Sequence, residues 1–419
     1  MKPNPPDDSI NQRVIALSKD PDLIKKITES YAPSLYGLTD IKLAILYHLV
    51  GGVAKERSGL TSRGAIHILL IGDPGTGKTQ LLQYAETLSE AVSVTGTGVN
   101  IDGLSAMITL DQKGTPTIIE GVLVKADQKY LHIDKLDKMT HELQTILETA
   151  MENQFYPIAK NGVHTCLNTR VSILATANPT LGRYNPYQTL AQNINFPVGL
   201  LSCFDLIFII RDHSDNLKDR VIAEKILEME ETEPNDNIIN HTLLSTYITE
   251  ASKVEPILSQ EAKTLLRDFY LDIRRATDAG HAISITPRQL LSLVRLTEAR
   301  AKLHLRETVS ESDVEAAIRI FSESLEQVGI DPITHRYDID VLYTGRPTVL
   351  NSKLLKVVEV FSELEKISAR VSEADLHNML FEKYGMNRRT VARLLRTLVK
   401  EDIITSKAPG YYMRNGLSG

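Results

Sequence analysis

His67-Ile68-Leu69-Leu70-Ile71 runs without a break into Gly72-Asp73-Pro74-Gly75-Thr76-Gly77-Lys78-Thr79. The apolar pentad is strand-length, and Gln80–Leu88 after it has helical spacing. The octet matches G-x-x-x-x-G-K-[ST]. Its glycines let the backbone wrap closely, so successive N–H groups can point at phosphate oxygens. The positive N-terminus of the next helix serves the same anion. Residues Gly72 through Gln80 are therefore a candidate phosphate cradle. Lys78 would reach the β- and γ-phosphates, and Thr79 would place its hydroxyl on Mg2+. A random chain of this length carries the string roughly once in a hundred cases, and here it also sits between a strand and a helix.

Outward from the octet, residues 65–212 alternate short apolar runs with helical segments. That is the signature of an α/β fold, a parallel sheet covered by helices. The expected strands are His67–Ile71, Ala91–Thr95, Tyr130–Ile133, Ser172–Thr176 and Asp205–Ile210, each read as buried on both faces. Tyr130-Leu131-His132-Ile133 ends in Asp134, where a P-loop NTPase places the carboxylate that holds Mg2+. Asp134 and Thr79 are the candidate metal residues. Many such ATPases follow this Asp with a Glu that polarises the attacking water. Here Lys135 follows. An ammonium is no base near neutral pH unless its pKa falls by several units, and a triphosphate beside it favours the charged form. Lys135 predicts ATP binding with weak hydrolysis, unless Asp137 or Glu152 substitutes as base.

Glu231–Asn237 is a polar break, and residues 238–328 read as helical throughout. The last two helices fall on Pro287–Leu305 and Ser312–Val328, the second capped by Ser310-Glu311-Ser312-Asp313. Gly329–Asn351 reads as a linker. Then come three amphipathic stretches, Lys353–Ile367, Glu373–Tyr384 and Asn387–Lys400, and two short strands around Ala408-Pro409-Gly410. Three helices and a hairpin predict a winged helix. Arg388, Arg389, Arg393, Arg396 and Lys400 lie in a stretch without acids, opposite Val391, Leu394, Leu395 and Leu398. These arginines would meet DNA phosphates, or form a solvated face, or dock on a partner. The expected division is 1–30 tail and linker, 31–233 ATP-binding subdomain, 234–330 helical lid, 331–351 linker and 352–419 winged helix.

Composition narrows the class. Apolar residues make up 42% of 419, enough for real cores, and a net charge of −6 argues against wholesale coating of nucleic acid. No apolar run approaches the roughly 20 residues of a membrane helix. The N-terminal MKPNPPDDS has no signal-peptide core and reads as a disordered lead-in, and the polar stretch after it turns helical over Asp22–Ser30. The expected location is cytoplasmic and nucleoid-associated. Cys166 and Cys203 form no CxxC pair, and the eleven histidines form no HExxH, so no zinc site is expected.

Taken together, the motifs resemble those of the minichromosome maintenance (MCM) family of AAA+ replicative DNA helicases. Gly72–Gln80 (GDPGTGKTQ) is similar to that family's phosphate loop. Ile133–Met139 (IDKLDKM) resembles its IDE-x-DKM, differing at the Glu. Ala177-Asn178-Pro179 with Gly182–Pro186 resembles its sensor-1 stretch. Leu200–Phe208 (LLSCFDLIF) resembles its LLSRFDL-x-F, and Ile285–Leu290 (ITPRQL) its sensor-2 stretch. Order and spacing agree over about Tyr31 to Gly329. The resemblance implies an AAA+ core with a helical lid and a C-terminal winged helix, ATP and Mg2+ as cofactors, DNA as partner, and an oligomer or hetero-oligomer of MCM-like subunits. It implies that Asn178 orients the lytic water and that Arg288 reaches a neighbouring subunit's γ-phosphate. The family's arginine finger, an element worth about 10³–10⁵ in rate in related NTPases, falls on Cys203. Arg211 and Arg220 downstream do not match the motif and read as surface residues. Ser105–Asp127, with β-like runs Ala106–Leu110 and Thr117–Val124, resembles the helix-2 insert hairpin. Phe155–Thr165 resembles the pre-sensor hairpin, with Lys160 at the position that touches DNA. The family's N-terminal OB-fold and zinc module have no counterpart in the thirty or so residues before the match.

The expected function is an ATP-binding, DNA-associated structural or regulatory subunit of replication, weak or inactive in hydrolysis. Two alternatives stand beside it. One is an active ATP-dependent DNA helicase, alone or with a partner subunit. The other is a winged-helix DNA-binding regulator that keeps the motor fold as scaffold.

Overall fold

A computed structural model describes residues 8–57, 60–110, 116–160, 163–185, 190–212, 220, 224, 238–278 and 286–328. In the C-terminal part it describes residues 356–357, 360–361, 363–365, 371–400, 404–408 and 411–414. The expected linkers, 231–237 and 329–351, lie outside these residues. Two compact units divide the chain, residues 1–345 and 346–419.

The first unit opens with helices α1 (Asp8–Ser18), α2 (Leu23–Ser30) and α3 (Thr39–Val50). Val14, Leu23 and Ile27 sit in the main core beside nearly the whole of α3. The helix expected over Asp22–Ser30 is present as α2, whereas α1 falls where a tail is expected. Among the described side chains of α1, Val14 alone is buried in the core, too little for a helical period to show in the sequence. The sheet strands are β1 (Ile68–Gly72), β2 (Ala91–Thr95), β3 (Tyr130–Asp134), β4 (Ser172–Ala177) and β5 (Leu206–Ile210). All pair in parallel, in the spatial order β5-β1-β4-β3-β2. Each expected strand falls within a residue or so of an observed one. Burial on both faces holds for β1, β4 and β5, the last an edge strand covered by the helix Glu311–Val328, whereas β2 at the opposite edge is only half-buried. The register sets Ile71 beside Ala177 and Thr95 beside Asp134, so the carboxyl ends of these strands share one rim. Ligands bind at that rim in open α/β sheets.

Two antiparallel hairpins leave this body. Ala106–Leu110 pairs with Pro116–Glu120, and Phe155–Lys160 pairs with Val163–Asn168. The second run of the first hairpin ends four residues before the expected Val124. Gly121 closes the ladder by donating its N–H to the Ser105 carbonyl. A Cβ at Gly121 would lie 2.5 Å from that oxygen, and a short helix, Val122–Lys125, follows. Ala106, Ile108 and Ile158 form a small apolar cluster that packs the hairpins together.

The lid contains α4 (His241–Ser252), α5 (Gln260–Asp278), α6 (Pro287–Leu303) and α7 (Glu311–Val328). It is not helical throughout. Ile257–Leu258 and Thr308–Val309 pair as two-residue parallel strands, too short to carry a period. The sequence starts both last helices where expected. Thr286 and Gln289 make a capping box with Pro287 at the first turn of α6. Asp313 accepts from the Ser310 N–H and hydroxyl at the start of α7. Helix α6 carries a polar stripe at positions 288, 292, 295, 298 and 302, one helical face. Ser292 and Arg295 bond Asp205, Glu298 accepts from the Val53 N–H, and Lys302 donates to the Val50 and Gly52 carbonyls. The stripe fastens the lid to the sheet body along the length of the helix.

Three histidines, His48, His67 and His132, are fully or almost fully buried between α3 and the sheet. Burial lowers His48 to about 4 and His132 to about 3, and holds His67 well below its usual range. Neither ring nitrogen of His132 has a hydrogen-bond partner. The folded state keeps all three neutral, whereas the unfolded chain protonates them near pH 6.5. Unfolding therefore takes up protons, and stability falls as pH drops below about 6.5. The expected slope approaches roughly 1.4 kcal/mol per pH unit for each histidine between about pH 6 and 4. Chemical denaturation across pH 4–8 reads it, and His132→Leu removes about one proton's share.

The second unit has its own core, built from Val357, Val360, Phe361, Leu376, Leu380, Val391, Leu394, Leu395 and Leu398 among others. Helices Glu373–Tyr384 and Arg388–Lys400 precede strands Ile404–Ala408 and Tyr411–Arg414. Val371–Ser372 adds a third, unexpected strand beside Tyr411 and Tyr412. Of the expected first helix, the described residues between 356 and 365 are helical.

Candidate functional site

The loop between β1 and the helix Lys78–Leu88 forms the wall of a cavity of about 330 Å3 at the carboxyl rim. Pro74, Gly75, Thr76, Gly77, Lys78, Thr79 and Gln80 line one side; Asp134, Lys135, Thr176 and Asn178 line the other. Gly77 opens the helix at φ 81, and a Cβ there would meet Leu35 at 2.8 Å. Leu35 belongs to a segment before α3 that sequence reading did not connect with the cradle. Lys78 is buried, and its Nζ donates to the carbonyls of Gly72 (2.8 Å) and Asp73 (2.6 Å) and to Thr76 Oγ1 (3.2 Å). Burial pulls its pKa down, opposed by Asp73, Asp134 and Asp137.

Two members of the expected cradle act behind it. Gly72 and Asp73 do not line the cavity. The Asp73 carboxylate accepts the backbone N–H groups of Tyr184 (2.7 Å) and Asp212 (3.0 Å), so it pins two flanking loops rather than facing a ligand.

On the metal side, Asp134 Oδ1 lies 3.1 Å from Thr79 Oγ1 and 2.7 Å from Thr176 Oγ1. Adjacent oxygen ligands at the edge of a Mg2+ octahedron, each 2.0–2.1 Å from the ion, are about 2.9 Å apart. The hydroxyl and carboxylate therefore fit a Mg2+ ion in kind and spacing. Thr176 also accepts the N–H of Lys135 (3.0 Å), fixing the residue after Asp134. Sequence reading missed Thr176, although it is a hydroxyl near the end of an otherwise apolar run. Lys135 is exposed, in the left-handed region at φ 58.

Neither alternative base lines this cavity. Asp137 accepts the Asn178 N–H (2.9 Å) and pairs with Lys138 (3.1 Å). Glu152 lies in a second cavity, of about 300 Å3, with Ser62, Arg63, Cys203, Arg288 and Arg295. There Arg288 donates to Glu152 Oε1 (2.5 Å) and Ser202 Oγ (2.7 Å). The structure thus gathers Arg288 and Cys203 in one place, apart from Lys78 of the same chain. Cys203 is buried, its Sγ donates to the Gly199 carbonyl, and burial pushes its thiol up to about 11. Arg211 is exposed, and Arg220 pairs with Glu224 on the surface.

Lys160 ends the first strand of the second hairpin, backbone-paired with Val163; its side chain is not among those described, nor is that of Arg389. Arg388, Arg393 and Arg396 are exposed on the helix whose Val391, Leu394, Leu395 and Leu398 are buried.

Against known families, residues 11–230 match the MCM P-loop domain and residues 242–325 match the MCM AAA-lid domain. The chain belongs to the MCM family. The minichromosome maintenance protein MCM of Saccharolobus solfataricus is 37% identical over 409 residues, covering 96% of this chain and 59% of that protein. The DNA replication licensing factor MCM4 of Arabidopsis thaliana is 37% identical over 420 residues, 96% of this chain and 49% of its own length. The MCM4 of Oryza sativa is 39% identical over 345 residues, 80% and 40% respectively. The chain thus spans about half the length of the MCM relatives it matches. Among the described residues no helix is long and apolar enough to cross a membrane.

Proposed function

We propose that this MCM-family chain binds ATP with Mg2+ at the Lys78 cavity, turns it over weakly, and serves as a DNA-associated structural or regulatory subunit of a replication assembly. The observation that carries this reading is the charge lining the cavity. Asp134 is the one carboxylate among its described lining residues, and it is engaged by Thr79 and Thr176. The residue next to it is a lysine.

In this reading the backbone of Pro74–Gly77 and the Lys78 ammonium hold the phosphates, while Thr79 and Asp134 hold the metal. Mg2+, when bound, neutralises phosphate charge. Asn178, held by Asp137, lines the same cavity and would orient a water, but among the described lining residues no carboxylate other than the engaged Asp134 could take its proton. Arg288 and Cys203 would face a neighbouring subunit's nucleotide. With cysteine in place of the finger, that subunit would gain no guanidinium there to stabilise developing charge. Arg388, Arg389, Arg393 and Arg396, on a C-terminal unit read as a winged helix, would contact DNA phosphates, as would Lys160 at its hairpin.

Isothermal titration of ATP with Mg2+ tests the cavity assignment. Lys78→Ala is expected to weaken ATP at least tenfold, the effect of one charge-assisted hydrogen bond. Unchanged affinity in a folded Lys78→Ala protein would place the nucleotide elsewhere.

A further inference from the structure

We propose that Lys135 gives this site a built-in cation, so that its hold on a nucleoside triphosphate depends little on the Mg2+ that Thr79 and Asp134 would carry. The inference rests on the reading of the Lys78 cavity as the nucleotide site and specifies its metal requirement. Among the described residues Lys135 makes no ion pair. The carboxylates nearest in sequence are already engaged, Asp134 by Thr79 and Thr176, and Asp137 by the Asn178 N–H and Lys138. The Lys135 backbone is fixed to the same strand end through Thr176 Oγ1, and the exposed Lys135 is one of the residues lining the cavity with the phosphate loop.

Charge counting gives the consequence. With a glutamate at 135, the two acids would outweigh Lys78, and the lining would carry one net negative charge. A divalent cation would be needed to reach one net positive charge. In this chain Lys78 and Lys135 outweigh Asp134, so the lining already carries one net positive charge with no metal. An anion of three to four charges meets here, metal-free, the balance that a glutamate-bearing site reaches only when metal-loaded. Lys135 supplies three donors on a flexible stem, enough to meet a terminal phosphate oxygen. Such a charge-assisted bond is worth about ten- to a hundredfold in affinity. Metal that binds in addition adds to an already positive site and gains less than it would beside two acids.

The experiment titrates ATP into the whole chain by calorimetry, once in excess Mg2+ and once in excess EDTA. The proteins compared are the parent, Lys135→Gln, Lys135→Glu and Lys78→Ala. Position 135 is exposed, so both of its variants are expected to fold, checked by their melting curves. The parent should lose less than about tenfold in affinity on chelation, Lys135→Gln more than the parent, and Lys135→Glu a hundredfold or more. A parent that loses as much as Lys135→Gln overturns the proposal. So does a Lys135→Gln protein as tolerant of EDTA as the parent. If the parent binds no ATP in either condition, or Lys78→Ala binds as the parent does, the nucleotide reading itself fails and takes this one with it.

Discussion

Replacing Lys135→Glu and Cys203→Arg together is expected to raise ATP turnover by at least about a hundredfold in the assembled oligomer. A positioned general base contributes typically 10²–10⁴-fold, and an arginine finger about 10³–10⁵-fold. The lower bound allows for imperfect placement of both. Local geometry favours each exchange. Lys135 is exposed at the cavity wall, so a glutamate there displaces nothing. Cys203 borders a cavity of about 300 Å3, which leaves room for a guanidinium, while the Glu152 carboxylate there is already paired with Arg288. Each single exchange should gain far less, because base and finger act in one transition state and such effects are not additive. Steady-state phosphate release from the parent, both single variants and the double variant measures this. A double variant that binds ATP, assembles and gains nothing would show that the block lies at other residues.

Asp205→Asn is expected to destabilise the first unit by roughly 3–5 kcal/mol, the cost of removing one member of a buried ionic cluster. The Asp205 side chain is wholly buried. It accepts from Arg63 (2.8 Å), Arg295 (2.5 Å), the Ser292 hydroxyl (2.5 Å) and the His67 N–H (2.7 Å). Burial alone would raise its carboxyl, but Arg295 and then Arg63 outweigh that and hold it well below the usual carboxylate range. The cluster joins three stretches distant in sequence: the segment before β1, the start of β5, and lid helix α6. An asparagine keeps the shape but leaves both arginines without their counter-charge. The melting temperature should fall by on the order of 10 °C. A change within a degree or two would mean that the cluster contributes little net stability.

What the sequence made legible was local. The strand, the glycine-spaced loop and the lysine of the cradle are consecutive, so their meaning survives without a fold. Asp134 was readable because an apolar run ended in an acid, and the start of α6 because Thr286, Pro287 and Gln289 are a helix entrance. The illegible part was long-range. Glu152 reads as a spare acid near the metal strand, yet it pairs with Arg288, 136 positions away. Asp73 reads as cradle, but its carboxylate serves two loops more than a hundred residues downstream. Asp8–Ser18 reads as tail because a helix anchored mainly by Val14 leaves little period, and two-residue strands such as Ile257–Leu258 fall below any window. Lys135 is the opposite case. Its identity is plain in the sequence, and the structure adds that among the described residues it makes no ion pair.

The central claim is that this chain holds ATP without efficiently turning it over. The direct test is steady-state phosphate release by the whole chain at ATP concentrations that calorimetry shows to be saturating, with and without single-stranded DNA. The account predicts full occupancy with release near the protein-free background in both conditions. Turnover of the order of one per second, stimulated by DNA, would contradict it and would mean that another group does the work of the missing glutamate.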